Sequence, residues 1–158
     1  MKLDLEAMRA APGRPFAVSG EEDIPELDWR GESLLVEGAV HADAVAFYQD
    51  GRVVLTVRVQ GRVHRPCSRC LVDLVEQVDH EDSLEVLPDE LVGPYLELRP
   101  MIEAGMRIGL SLKPLCRPDC RGLCPTCGAD LNREGHRPGC GTAEKTRDPR
   151  LAKLKDLL

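Results

Sequence analysis

Residues 49–59 read QDGRVVLTVRV, and this stretch decides the fold. Asp50-Gly51 supplies the positions of positive φ that a tight β-hairpin turn requires. After the turn, Val53, Leu55 and Val57 alternate with mostly polar neighbours, which is the period-2 pattern of a half-buried strand. The stretch therefore predicts a hairpin whose second strand begins at residue 53.

The sheet is expected to extend on both sides of this hairpin. Upstream, the pattern predicts strands at residues 33–40 and 45–48. Downstream, residues 66–70 (PCSRC) make a tight reversal, and residues 71–78 form the returning strand. This arrangement is an antiparallel β-meander with Cys67 and Cys70 at the tip of a hairpin.

The hydrophobic period changes after a loop at residues 88–94. Apolar residues recur at spacings of three to four from Leu98 to Leu110, which predicts a helix over residues 99–110. Pro100 suits the first helical turn, whereas Gly105 and Gly109 lower the helix propensity. We therefore predict an α+β fold in which the antiparallel β-meander is followed by a helix.

Three segments follow from these patterns. We expect residues 1–32 to be an irregular N-terminal segment with a short strand near residues 2–8, and residues 33–112 to form the body of β-meander plus helix. Residues 113–158 form a Cys-rich tail with a short terminal helix, for which Asp148 is a good N-cap and Pro149 fits the first turn. The Cys-rich part has few large apolar side chains, so a bound metal has to hold it together.

Charge is distributed unevenly along the chain. Residues 1–104 carry 10 Lys and Arg against 21 Asp and Glu, a balance of −11, and residues 105–158 carry 11 against 6, a balance of +5. The asymmetry indicates either two surfaces with different partners or two differently solvated faces. Zinc held by thiolates would remove most of the positive excess, so the tail is not a strong phosphate-binding patch.

The chain lacks the sequence signals of export and membrane insertion. No stretch approaches the ~20 apolar residues that span a bilayer, and acidic residues interrupt the N-terminus where a signal peptide is apolar. We therefore expect a cytoplasmic protein. In that reducing compartment, the seven cysteines are metal ligands or redox groups and not a disulfide framework.

Seven cysteines and one histidine have the spacing of metal ligands. In chain order, they are Cys67, Cys70, Cys116, Cys120, Cys124, Cys127, His136 and Cys140. Tetrahedral zinc takes four such ligands, so eight would complete two structural sites. We expect the last four to form one site and the first four to form the other.

Other interpretations of these residues stay open. A rival assignment holds a single zinc, with ligands drawn from Cys116, Cys120 or Cys124, Cys127 and Cys140. It leaves Cys67 and Cys70 as a reduced pair, and a lone Cys-x-x-Cys can be redox-active, although thioredoxin-like chemistry needs a βαβ context that these flanks lack. His136 could equally be a solvated loop residue.

The patterns of common enzyme classes are missing from the sequence. Sites built from thiolates are typically closed, whereas a catalytic zinc keeps an open position. The sequence contains neither the His-x-Glu element of a zinc deaminase nor a Gly-rich phosphate loop. We expect no enzymatic activity and no small-molecule substrate.

The cysteine motifs and the residues around them resemble a known family. The segments that carry the resemblance are CSRCL (67–71), LKPLC (112–116), CRGLCPTCGADLN (120–132) and DPRLAKL (148–154). They are similar to the bacterial YceD family, whose members are described as large ribosomal RNA subunit accumulation proteins. The family's usual Cys-x-Cys after Leu-Asn is replaced here by His136 and a displaced Cys140, which favours His136 as a substitute ligand.

The resemblance implies a role in accumulation or assembly of the large ribosomal subunit. The implied partner is large-subunit ribosomal RNA or a ribosomal protein. A metal would fix the backbone of the tail, which suggests as candidate contacts Lys113, Arg117, Arg121 and Arg133. The sequence also leaves open an acidic adaptor that holds a basic ribosomal protein, and a redox-sensitive zinc switch.

Overall fold

The computed structural model describes residues 1–140. The helices and strands within this part of the chain are β1 (Lys2–Asp4), α1 (Leu5–Ala10), β2 (Phe16–Glu22), β3 (Glu26–Trp29), β4 (Glu32–Leu35), β5 (Val40–Gln49), β6 (Arg52–Pro66), β7 (Asp73–Val86), β8 (Tyr95–Glu97) and α2 (Arg99–Gly109). The α+β class is confirmed. The expected C-terminal helix at residues 148–158 lies outside the described residues.

The principal sheet has four antiparallel strands in the order β2-β5-β6-β7. Its last three strands are consecutive hairpins, which confirms the meander. At the first turn, Asp50 has φ 50° and Gly51 has φ 83°, while Gln49 pairs with Arg52. Both central residues of the turn therefore adopt the positive φ that Asp-Gly tolerates.

Strand β7 is longer than the sequence predicted. The prediction ended at residue 78, whereas β7 continues through the polar run DHED at residues 79–82 and ends at Val86. In the structure, Val78 and Val86 remain buried on one face, and Asp79 on the other face accepts hydrogen bonds of 2.8 Å from Arg58 of β6. Pairing with a basic neighbour across the strands allows the acidic residues to continue the strand.

The expectation of an irregular segment over residues 1–32 was wrong. This segment contains β1, α1, β2 and β3. Strand β1 ends at Asp4, whose carboxylate accepts a hydrogen bond of 2.9 Å from the Ala7 N–H and so caps α1. Arg30 (φ 56°) and Gly31 (φ 82°) form the turn between β3 and β4, and Arg-Gly is a weaker turn signal than Asp-Gly.

The single strand expected at residues 33–40 is divided in the structure. Strand β4 ends at Leu35 and pairs with β3, whereas β5 begins at Val40 in the principal sheet. Gly38 lies between them with φ 77°, a conformation that redirects the chain and that few other residues adopt.

Helix α2 packs on β6 and β7, and two glycines of the helix allow a short distance between the helix and the sheet. A Cβ on Gly105 would lie 3.1 Å from a methyl of Val59, and a Cβ on Gly109 would lie 2.6 Å from a methyl of Val78. The two residues that lower the helix propensity therefore let the helix approach the sheet closely. Ile102 and Met106 are fully buried between the two layers.

The chain divides into two compact units. The sheet unit comprises residues 1–66 and 73–114, and it contains every residue of the hydrophobic core cluster found among the described residues. The cysteine unit comprises residues 67–72 and 115–158, of which residues 67–72 and 115–140 are described. Within residues 1–140, no helix has the length and apolarity that a membrane span requires.

Candidate metal centres

The loop that joins β6 to β7 presents Cys67 and Cys70. The Cys67 N–H donates to the Val72 carbonyl at 2.8 Å, and the Leu71 N–H donates to the Cys67 carbonyl at 3.0 Å. These bonds close a tight turn in which Leu71 has φ 61°, an uncommon conformation for a branched residue. The turn brings the two cysteines onto the same side of the loop.

The turn at Cys124 and Cys127 repeats this geometry. The Gly128 N–H donates to the Cys124 carbonyl at 2.8 Å, and Gly128 has φ 69°. Gly128 therefore occupies the position that Leu71 holds in the first turn. Because glycine has no Cβ, it adopts this positive φ at a lower cost than Leu71 does.

The first set of candidate ligands consists of Cys67, Cys70, Cys116 and Cys120. Their sulfur atoms all lie within 4.8 Å of one another. The distance between the sulfurs of Cys67 and Cys120 is 3.8 Å, and the distance between those of Cys70 and Cys116 is 3.6 Å. Three of the four side chains are buried, and Cys116 is exposed.

The second set consists of Cys124, Cys127, His136 and Cys140. Their ligand atoms also lie within 4.8 Å of one another. The sulfur of Cys140 is 3.8 Å from that of Cys124 and 3.6 Å from Nδ1 of His136. Among the described residues, the structure thus brings together the two groups of four, and the rival single-zinc combination is not one of the close groups.

These distances fit a tetrahedral ion. Zn–S bonds of about 2.3 Å and Zn–N bonds of about 2.0–2.1 Å imply S···S distances near ~3.8 Å and S···N distances near ~3.6 Å. A disulfide instead needs about 2.05 Å between sulfurs, and all seven cysteines are free thiols. Both sets could therefore hold a metal ion, and thiolate with imidazole ligands favours a borderline or soft one.

The thiols of the first set differ in acidity. Burial raises the pKa of Cys67, but hydrogen bonds from the backbone N–H groups of Cys116, Arg69 and Cys70 lower it to about 6. Burial, together with the neighbouring thiols, raises the pKa of Cys116 to about 12. One thiolate forms readily while its neighbour keeps a proton, because adjacent negative charges repel each other.

The second set shows the same contrast. Hydrogen bonds from the backbone N–H groups of Arg137 and Ala129 lower the pKa of Cys127 to about 6. Its thiolate, in turn, raises the pKa of Cys140 to about 11. A divalent cation would allow all of these thiolates to coexist, since it supplies the positive charge that they lack.

Residues 82–158, roughly half of the chain, match the family model described as large ribosomal RNA subunit accumulation protein YceD. This part of the chain matches the YceD family. The matched residues include Cys116 and Cys120 of the first set and all four residues of the second set, whereas Cys67 and Cys70 lie upstream of the match.

The chain is also similar to curated proteins from mycobacteria and from a plant. Uncharacterised proteins of Mycobacterium tuberculosis and Mycobacterium bovis are each 37% identical over 143 residues, which cover 84% of this chain and 61% of the relative. A maize protein named large ribosomal RNA subunit accumulation protein YCED homolog 1, chloroplastic, is 34% identical over 64 residues, covering 40% of this chain and 20% of that protein. The chain thus spans less than two thirds of these relatives. No solved structure matches it.

The four candidate RNA contacts are all exposed, but they divide between the two units. Lys113 belongs to the sheet unit, and Arg117, Arg121 and Arg133 belong to the cysteine unit. Arg117 donates to Asn132 at 2.9 Å and lies 3.5 Å from Asp119, while Arg133 lies 3.8 Å from Asp130.

Electrostatics in the cysteine unit does not favour strong phosphate binding. Its described residues carry five arginines against three acidic residues, a balance of +2. Zinc held by four thiolates would contribute −2, and zinc held by three thiolates and a neutral histidine would contribute −1. The loaded unit would then be close to neutral, so any RNA contact depends on individual arginines and not on bulk charge.

Sequence reasoning missed two positions of this candidate site. A Cβ on Gly122 would lie 2.9 Å from the Arg69 carbonyl oxygen, and Gly122 has φ 74°. Asn132 donates from its side-chain amide to the sulfur of Cys120 at 3.4 Å. Sequence periodicity could not predict either contact, because each one joins segments that are distant in sequence or that lie on irregular loops.

Proposed function

We propose that this chain is a non-enzymatic, zinc-binding ribosome biogenesis factor that supports the accumulation or assembly of large-subunit ribosomal RNA. The observation that carries the proposal is the family match over residues 82–158, whose description names this accumulation role and no catalytic activity. The two sets of four close ligand atoms supply the physical means of ordering the cysteine unit.

Zinc is the proposed ion at both sets, with a structural role. The proposed ligands are the sulfurs of the seven cysteines and a ring nitrogen of His136. Four protein ligands complete the tetrahedral coordination of zinc and leave no position for a substrate. Zinc in this arrangement would fix the backbone that carries the exposed arginines.

The proposed contact with ribosomal RNA runs through Lys113, Arg117, Arg121 and Arg133. Guanidinium groups suit this role because they donate two parallel hydrogen bonds to a phosphate. Arg117 directly follows Cys116 and precedes Cys120, both of the first set, while Arg121 lies between Cys120 and Cys124, the first ligand of the second set. Metal bound to these neighbouring ligands would therefore constrain the backbone of both arginines.

A cellular experiment tests the accumulation role. We would delete the gene in its own host and measure the ratio of large- to small-subunit ribosomal RNA on a density gradient. We expect the ratio to fall, the intact gene to restore it, and a Cys124→Ser/Cys127→Ser variant not to restore it. An unchanged ratio after deletion would overturn the proposal.

A binding experiment tests the direct contact. Purified zinc-loaded protein is titrated with large-subunit ribosomal RNA at several salt concentrations. The Arg117→Ala/Arg121→Ala variant should lower the slope of log affinity against log salt by about 2, since each lost phosphate contact removes about 1. The matched control, Arg14→Ala/Arg30→Ala, removes two exposed charges from the sheet unit and should leave the slope unchanged.

A second candidate function rests on the charge of the sheet unit. Its residues carry 11 Lys and Arg against 21 Asp and Glu, a balance of −10. This charge suits an adaptor that holds a basic ribosomal protein before assembly. Salt-sensitive binding to a basic ribosomal protein, together with no binding to the RNA, would favour this adaptor over the RNA contact.

A further inference from the structure

The side chain of Asn132 makes four hydrogen bonds within the cysteine unit. Its Nδ2 donates to the sulfur of Cys120 at 3.4 Å and to Oδ1 of Asp130 at 2.7 Å. Its Oδ1 accepts from the Arg121 N–H at 2.8 Å and from Nη2 of Arg117 at 2.9 Å. Both ends of the amide are therefore used, and its orientation is determined by the charged groups on either side.

Of these four hydrogen bonds, the one to Cys120 directly affects a candidate metal ligand. An amide that donates to a thiolate withdraws electron density from the sulfur and restricts the direction in which it points. Cys120 is 1% exposed, so in the folded chain this sulfur is shielded from bulk water while the Asn132 amide donates to it. Partners of this kind orient metal ligands, and their loss typically lowers metal affinity by about 10- to 100-fold.

Asn132 lies in the loop between Cys127 and His136, which are candidate ligands of the second set. Its partner Cys120 belongs to the first set. The Leu131 N–H also donates to the Gly122 carbonyl at 2.9 Å, which holds the loop beside the segment that follows Cys120. A residue from the loop of one set thus supports a ligand of the other.

We propose that Asn132 is a positioning residue for the first metal set, and that it retains the metal there by directing the sulfur of Cys120. This inference rests on the metal binding proposed above. Asn132 does not bind the metal, because its amide nitrogen donates to the sulfur and its oxygen accepts from Arg117 and Arg121.

The experiment measures metal release separately for each set. Zinc-loaded full-length protein is mixed with a chelator and an alkylating reagent, and peptide mass spectrometry records how fast each cysteine is modified. In Asn132→Ala, the four cysteines of the first set should react about 10-fold faster or more, while those of the second set keep their wild-type rates. Glu134→Ala, which changes an exposed side chain in the same loop, is the matched control.

A swap variant separates the bond to sulfur from the other three. In Asp130→Asn/Asn132→Asp, the amide and the carboxylate exchange places and can keep their mutual hydrogen bond. The carboxylate at position 132 can also accept from Arg117 and from the Arg121 N–H, but it has no proton to donate to Cys120. We expect this variant to lose first-set zinc at least as fast as Asn132→Ala.

Substitution of Co²⁺ for zinc provides a spectroscopic test. It detects a change at the sulfur ligand that a general destabilisation of the cysteine unit would not cause. Without the donor, the sulfur is richer in electrons, so its charge-transfer band to Co²⁺ should move to lower energy in both variants. Wild-type release rates and band positions in the variants would overturn the inference. Equal acceleration at both sets would also overturn it, whereas a wild-type chain that binds no metal would refute the proposed metal binding itself.

Discussion

Gly122 shows how a single residue constrains the cysteine unit. Its φ of 74° lies in the left-handed region, and a Cβ there would lie 2.9 Å from the backbone oxygen of Arg69. Gly128 has a similar φ of 69°, but a Cβ there would meet nothing within 4 Å. The two glycines therefore separate the effect of backbone conformation from that of close packing.

We predict that Gly122→Ala weakens metal retention more than Gly128→Ala. The left-handed conformation of an alanine at position 128 destabilises the folded unit by about 1–2 kcal/mol. An alanine at position 122 has the same cost and must in addition displace a backbone carbonyl. The measurement is zinc per chain after dialysis against a weak chelator. Gly135→Ala is the control, because Gly135 has neither a positive φ nor a neighbour near its Cβ. Equal retention in all three variants would contradict the prediction.

At the scale of elements, a buried ion pair joins strands β6 and β7 to the end of α2. Arg65 is 4% exposed, and its Nη1 donates to Glu76 at 2.7 Å and to the Ser111 carbonyl at 2.8 Å. The other oxygen of Glu76 accepts from the Ser111 N–H at 2.7 Å, and the ring of Trp29 lies 4.3 Å from the guanidinium. The pair therefore fixes the chain where α2 ends.

We predict that Glu76→Gln destabilises the sheet unit by about 2 kcal/mol at pH 7, because hydrogen bonds to charged groups contribute about 1.5–3 kcal/mol. Burial raises the pKa of Glu76, but the hydrogen bonds from Ser111 and Arg65 lower it by more, so the net shift of this pKa is downward. A carboxylate whose pKa is depressed on folding contributes stability above its unfolded pKa and loses it as the pH falls through the folded value.

The difference between wild type and Glu76→Gln should therefore shrink on acidification. Urea unfolding at pH 7 and at about pH 3, monitored by the fluorescence of Trp29, measures this difference. Glu85→Gln serves as the control, since its partner Arg52 and Glu85 itself are about half exposed. A difference that stays constant with pH would show that Glu76 does not act through its charge.

At the scale of the whole molecule, the two units differ in the interactions that can stabilise the fold of each one. The sheet unit contains every residue of the hydrophobic core cluster. Among the described residues of the cysteine unit, the buried apolar side chains are those of Cys67, Cys70, Cys120, Cys124 and Ala129. These described residues bury too little apolar surface to offset their loss of chain entropy without metal.

We predict that removing metal under reducing conditions unfolds the cysteine unit and leaves the sheet unit folded. Hydrogen exchange in residues 67–72 and 115–140 should approach that of an unfolded chain, while β5, β6 and α2 keep their protection. Zn²⁺ should restore protection and Mg²⁺, which prefers oxygen ligands, should not. Retained protection in the stripped cysteine unit would contradict the prediction.

The amino-acid sequence by itself determined the parts of this protein that depend on local pattern. The period-2 alternation in β6, the Asp50-Gly51 turn and the three-to-four spacing in α2 each follow from neighbouring residues, and each prediction is confirmed. The Cys-x-x-Cys turn at the end of β6 is local as well, which is why Cys67 and Cys70 could be placed on a hairpin loop.

The tertiary structure alone decided how distant segments meet. Residues 1–32 acquire regular structure because β1 and β2 find partners in β8 and β5, far along the chain, and no local pattern shows such pairing. Ligand counting predicted that Cys67 and Cys70 join Cys116 and Cys120, but the single-zinc assignment stayed open until the structure brought these four together. The placement of Asn132 beside a sulfur twelve residues away had no signal in the sequence. Side-chain distances of this kind arise from the packing of the folded chain, whereas sequence spacing constrains only residues that share one turn, strand or helix face.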